Sequence, residues 1–341
     1  MSGPPAPSPP RSRLEALLRA GHFVVTAEMQ PCNGADPEEV RRHAMELRGR
    51  VDAANCTDNP AARPHLSPLA AGHLVAETGL ESIVQLTCRD RNRLALQADL
   101  LGVAALGVRN VLLLTGDGVS AGDHLETRPL FDLDSLHLLR VAHVLRDQGV
   151  YLSGRVLSSR PSFFIGAVEN PFAPPHDFRP LRLAKKVEAG AEFVQMQICF
   201  NLPRLREFMA RAVDLGLLER VFILVSVYVA RSTRALRFLR DVVPGIDVPD
   251  AVMARFERTP SDRQSEEGFR LALETVAALR EIRGVSGVHL ISIKGQDAII
   301  RLVEAAGLLP RPDPDNGVPA PVQNGEAGQL PADLKAGLGA A

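Results

Sequence analysis

The sequence predicts a (β/α)8 barrel, a TIM barrel, with disordered N- and C-terminal tails. Three observations lead there. Eight short apolar runs recur along the chain, at 23–29, 51–57, 82–88, 109–115, 163–168, 193–199, 220–227 and 287–293. They are β-branched or Leu-rich without strict alternation, as in parallel strands buried on both faces. Stretches of helical periodicity lie between them, including Asp36–Arg48, Arg91–Leu106, Asp134–Gln148, Arg179–Ala189, Leu202–Leu215, Ser232–Val242 and Ser265–Arg283. A length of 341 residues suits one large barrel plus tails. A doubly wound sheet also alternates strands with helices, but no GxGxxG follows the first run. No repeat of fixed period is present.

The elements follow in order. Residues 1–12 are rich in Pro and Ser and read as a disordered tail. The barrel is expected over 13–309. Its first run, His22-Phe23-Val24-Val25-Thr26-Ala27-Glu28, ends on an acid. In a parallel β/α barrel the strand C-termini form the mouth where chemistry occurs, so Glu28 is a candidate catalytic group. Asp36-Pro37-Glu38-Glu39 opens a helix with a capping side chain, Pro in the first turn and acids near the positive end of the dipole. The run Val111-Leu112-Leu113-Leu114 leads into Thr115-Gly116-Asp117, which places a second acid at a strand end. Ser261-Asp262 and Ser265-Glu266-Glu267 resemble helix starts. Residues 310–341 carry Pro310, Pro312, Pro314, Pro319, Pro321 and Pro331 among several glycines and read as a second tail, too poor in apolar surface to offset ordering entropy.

Composition narrows the function. Lys and Arg total 39 against 40 acids, so no basic excess points to nucleic acid. No apolar stretch reaches the length of a membrane span, and the N-terminus has no secretory core; a soluble cytoplasmic protein is expected. Cys32, Cys56, Cys88 and Cys199 are scattered without a CxxC pair, which matches neither a zinc-ligand spacing nor a disulfide framework, and no metal site is expected. Trp is absent and Tyr occurs only twice, so aromatic stacking on a ligand must rest largely on Phe.

Blocks in fixed order carry a resemblance. Glu28 with Pro31, Gln85-Leu86-Thr87-Cys88-Arg89-Asp90, Leu114-Thr115-Gly116-Asp117, Lys185 to Ala191, Met196-Gln197 and Gly287-Val288-His289 together resemble the methylenetetrahydrofolate reductase family over residues 20–309. The resemblance implies a flavin- and folate-binding barrel that reduces 5,10-methylenetetrahydrofolate to the 5-methyl form. FAD would carry hydride from NADH or NADPH, and the reverse oxidation is open to the same catalyst. It implies Glu28 as general acid and Asp117 as the carboxylate beside flavin and pterin. Thr57, Gln85, Thr115, Gly116, Phe131, Asp132 and Lys186 fall on segments it places around the flavin, Lys186 near the phosphates. Gln197 and Phe238 fall where the family contacts folate or nicotinamide.

The chain also departs from the family pattern. Well-studied members carry Arg where Thr115 stands, His where Gln85 stands, and an aromatic near Val168 that clasps FAD; a glutamine contact is replaced by Arg234. Some divergent members work with accessory redox subunits, and a homo-oligomer is a further expectation. A folate-binding barrel without redox activity, serving a methyl-transfer system, is the alternative function. A zinc-dependent methyltransferase barrel would need clustered Cys and His ligands, against which the scattered cysteines argue.

Overall fold

A computed structural model describes residues 9–293 and 295–313. Most of both expected tails lies outside these residues. Eight parallel strands close into a barrel in sequence order: β1 (Val24–Glu28), β2 (Ala53–Cys56), β3 (Glu81–Thr87), β4 (Asn110–Leu114), β5 (Phe164–Glu169), β6 (Phe193–Ile198), β7 (Phe222–Tyr228) and β8 (Val285–Ile291). Each corresponds to one of the eight apolar runs. The surrounding helices are α1 (Arg13–Arg19), α2 (Pro37–Leu47), α3 (Pro68–Glu77), α4 (Arg93–Ala105), α5 (Ser135–His143), α6 (Phe178–Glu188), α7 (Leu202–Asp214), α8 (Thr233–Val242), α9 (Asp250–Glu257), α10 (Gln264–Arg280) and α11 (Asp297–Ala305). Asp36 caps α2 as its sequence predicts, its side chain accepting from Glu38 N.

Side chains on alternate strand positions enter the barrel in layers. The bottom layer is apolar and includes Val24, Ala53, Ile83, Leu112, Phe164, Phe193 and Leu224, closed from below by Leu14, Leu17 and Leu18 of α1. Phe164 and Phe193 stack with centroids 4.8 Å apart. Their packing requires Gly166, because a Cβ there would lie 2.2 Å from the Phe193 ring. Two residues further along the strands the interior turns polar, with Thr26, Asn55, Gln195 and His289. Glu28, Thr57 and Gln197 follow two residues later again, at the mouth.

The described ends of the chain meet beneath the barrel. The Ser12 hydroxyl caps α1 by accepting from Glu15 N at 3.0 Å. Arg311 binds Asp52 at 2.5 Å and donates to the Phe23 carbonyl, while Arg13 reaches the same carboxylate at 3.4 Å. Arg13 also donates to the Pro312 carbonyl.

Candidate functional site

A cavity of about 570 Å³ opens at the C-terminal ends of the strands. Glu28, Thr57, Gln85, Thr115, Gly116, Asp117, Lys186 and Gln197 all line it. Eight of the eleven residues singled out in the sequence therefore share one site. Phe131, Asp132 and Phe238 do not line it. Asp132 is bound by Arg93, both guanidinium contacts being 2.9 Å, which holds its carboxyl down at about 2. Phe238 is half-exposed on α8, whereas its neighbour Leu239 faces the cavity.

Glu28 lines the mouth with its carboxyl shifted by its surroundings. Burial, and secondarily the charge of Asp117, raise its pKa from 4.5 to about 7. A carboxyl so tuned holds a proton for part of the time at neutral pH and can give it up during a reaction. Asp117 is exposed, three residues past β4, and its Oδ2 accepts from Ala61 N at 3.0 Å. The turn before it is tight. Gly116 has φ +95°, and a Cβ there would lie 3.0 Å from Thr87 Cβ and 3.2 Å from Arg89 Cβ.

Gln197 owes its position to an irregularity. The register between β6 and β7 shifts between Met196 and Ile198, which leaves Gln197 as the extra residue. Such a bulge re-aims a side chain, and here it bends back so that Oε1 accepts from Ile198 N at 2.9 Å. Beneath, Asn55 and Gln195 exchange amide hydrogen bonds at 2.7 and 3.1 Å, and His289 Nδ1 lies 3.0 Å from Thr26 Oγ1. Burial drives the His289 pKa down to about 3, so the ring is neutral. Among the described residues the polar floor is thus uncharged.

Lys186 is almost fully buried. Its Nζ lies 2.9 Å from Glu169 Oε2 and donates to the Val168 carbonyl. Burial lowers its pKa, with Glu169 opposing the shift. Arg179 and Arg182 approach the other oxygen of Glu169 at 3.8 and 3.7 Å. Three cations thus surround one carboxylate. Arg182, with 35% of its side chain exposed, carries the surplus charge toward the cavity.

Several lining residues were not singled out as site residues from sequence. Asp58 accepts from Thr87 N and Oγ1 and takes Arg91 at 2.6 and 3.2 Å. Arg89 is 2% exposed and donates to the Asn59 and Asp117 carbonyls, fastening two mouth loops together. Tyr228 closes β7 at the rim. Asp58, Arg89 and Tyr228 all stand at ends of predicted strands, and Arg89 also lies in a block that carries the family resemblance. Residues fit to hold a flavin are present. The Thr57 hydroxyl is buried without a hydrogen-bond partner and faces the cavity, and Arg182 offers charge for a phosphate.

A profile for the family Methylenetetrahydrofolate reductase matches residues 13–307. The chain belongs to that family. Among solved structures, one protein of the same fold comes from Clostridium thermocellum and is described as binding two copies of 5-methyl-5,6,7,8-tetrahydrofolic acid. It is 12% identical, with TM-score 0.62, over 87% of this chain and 100% of that one. DmoA from Hyphomicrobium sulfonivorans is 12% identical with TM-score 0.54 over 83% and 86% of the two chains. The EDTA monooxygenase of Chelativorans sp. BNC1 is 11% identical with TM-score 0.51 over 85% and 93%. At these identities the likeness is one of fold.

Proposed function

We propose that this protein is a flavin-dependent methylenetetrahydrofolate reductase, interconverting 5,10-methylenetetrahydrofolate and 5-methyltetrahydrofolate. The observation that carries the reading is Glu28, a carboxyl lining the mouth cavity and tuned to about 7. Family membership supports the folate substrate, and a barrel of the same fold described with a methyl-folate accords with it.

The chemistry asks for these groups. Opening the methylene bridge makes an iminium cation and frees the nitrogen that leaves. Glu28 holds the proton that this nitrogen takes up. Asp117, whose charge already raises the Glu28 pKa, would stabilise the developing cation. Gln197 presents an amide, both donor and acceptor, to a pterin edge. FAD, when bound, supplies the hydride, with NADH or NADPH as the source of reducing power. Thr57 and Arg182 would hold it, and Lys186 would support the site from beneath by keeping Glu169 neutralised.

One test is colour. Purified protein given FAD should show flavin absorbance, bleach with a reductant and recover on addition of methylenetetrahydrofolate. Protein that stays colourless in excess FAD, with no FAD-dependent thermal shift, refutes the reading. That result would favour the second reading, a non-redox folate-binding barrel, for which Thr115 and Val168 in place of flavin-clasping residues speak.

A further inference from the structure

A second constellation lies outside the mouth cavity. Cys32 stands in the loop after β1, and Glu39 and His43 lie one turn apart on α2. One ligand-type atom from each, a thiol sulfur, a carboxylate oxygen and an imidazole nitrogen, lies within 4.8 Å of the other two. Ligands on a tetrahedral zinc stand roughly 3.5 Å apart, with bonds of about 2.0–2.3 Å, so small side-chain rotations would close the set. None of the three lines the mouth cavity.

Two further observations set the cluster apart from a chance meeting of polar groups. The His43 Nδ1 is buried and has no hydrogen-bond partner. A buried imidazole nitrogen left unpaired is costly, and a metal ion satisfies it. Glu39 makes no ion pair among the described residues, although Arg42 stands near enough to act on Cys32. The thiol is itself only 3% exposed. The helix supplies the geometry, since residues i and i+4 project from one face. Spacing along the chain hid the site, because Cys-x6-Glu-x3-His contains no paired cysteines.

We propose that Cys32, Glu39 and His43 form a zinc-binding site that fastens the loop following Glu28 to α2. Sulfur, nitrogen and oxygen donors together suit zinc better than magnesium or calcium, which prefer all-oxygen sets. Three protein ligands leave the fourth position to water or a small ligand. Binding exchanges the thiol proton for the metal.

The experiment uses the full chain, stripped with a chelator under reducing conditions and titrated with zinc against a competing chromophore. Cobalt serves as a spectroscopic probe. One zinc per chain is expected, with proton release, a rise in thermal midpoint with zinc concentration, and a thiolate-to-cobalt charge-transfer band. His43→Gln and Glu39→Gln, both at half-buried positions, should each weaken zinc binding by on the order of a hundredfold, at least what loss of an outer-shell partner costs. Cys32→Ser should abolish the cobalt band. Should Cys32→Ser fail to fold, the two helix variants still decide. The proposal is overturned if zinc binds no more tightly than magnesium, if affinity is unchanged in His43→Gln and Glu39→Gln, or if cobalt binds without the thiolate band.

Discussion

Replacing Glu28 by Gln removes the proton donor while keeping shape. With a pKa of about 7, Glu28 is about half protonated at pH 7; at its ordinary 4.5 it would be about 0.3% protonated. The environment therefore enriches the acid form by roughly two orders of magnitude, within the range usual for general acid catalysis. In rapid-mixing experiments Glu28→Gln should keep its flavin and accept electrons from the donor normally. Its folate half-reaction should be slower by on the order of a hundredfold or more. The wild-type rate should fall as pH rises through about 7, and that limb should vanish in the variant. Stability provides an independent check with a fixed sign. The folded state binds the Glu28 proton more tightly than the unfolded chain, so wild-type stability declines as pH rises from 4.5 through 7. The shift corresponds to about 3 kcal/mol as an upper bound. Glu28→Gln should accordingly gain several degrees in Tm relative to wild type at pH 8, and little at pH 4.5. A folate half-reaction within tenfold of wild type, or a limb near pH 7 surviving in the variant, would refute the reasoning.

Four further outcomes are expected. Asp117→Asn should slow the folate step more than flavin reduction and shift the pH limb downward, since its charge helps raise Glu28; equal slowing of both steps would mark Asp117 as a turn residue only. Lys186→Met should leave the Glu169 carboxylate buried against Arg179 and Arg182 alone, costing about 3–5 kcal/mol in denaturant titration, and adding Glu169→Gln should recover most of it. His289, held neutral by burial with a pKa of about 3, should make the protein lose stability as pH falls from 6.5 toward 3; His289→Gln should flatten that part of the profile, and an unchanged slope would contradict the assignment. Deleting residues 314–341 should leave Tm and turnover unchanged, and a large drop in either would mean that the segment docks.

The barrel was legible because its strands advertise themselves twice. Their outward positions, such as Val25 and Ala27, are apolar because helices cover them, and their lower inward positions, such as Val24 and Ile83, are apolar because they fill the bottom layer. The inward polar positions were legible only in part. Thr26, Asn55, Gln195 and His289 recur at strand period, yet only the folded barrel shows that they interlock. Helices α1, α3, α9 and α11 were not among the stretches named from the sequence. The signal for α1 was present, since Ser12 and Glu15 stand at capping-box spacing before Leu17 and Leu18. At the mouth, the residues expected at strand ends line one cavity. Phe131, Asp132 and Phe238 do not line it, because a loop residue at φ 41°, its neighbour held by Arg93 and a half-exposed helix residue answer to local geometry, which spacing does not report. Lys186 was found, but its burial against Glu169 depends on a strand seventeen residues upstream.

The ion cluster at Asp52 has a practical consequence. It gathers Arg13, Arg311 and the Phe23 carbonyl at the end of the barrel opposite Glu28. A group joined directly at Arg13 or Arg311 therefore starts from the closed floor. A short tether or reporter joined there starts on the face opposite the mouth. A tether that still blocks turnover would have to reach around the full height of the barrel to do so.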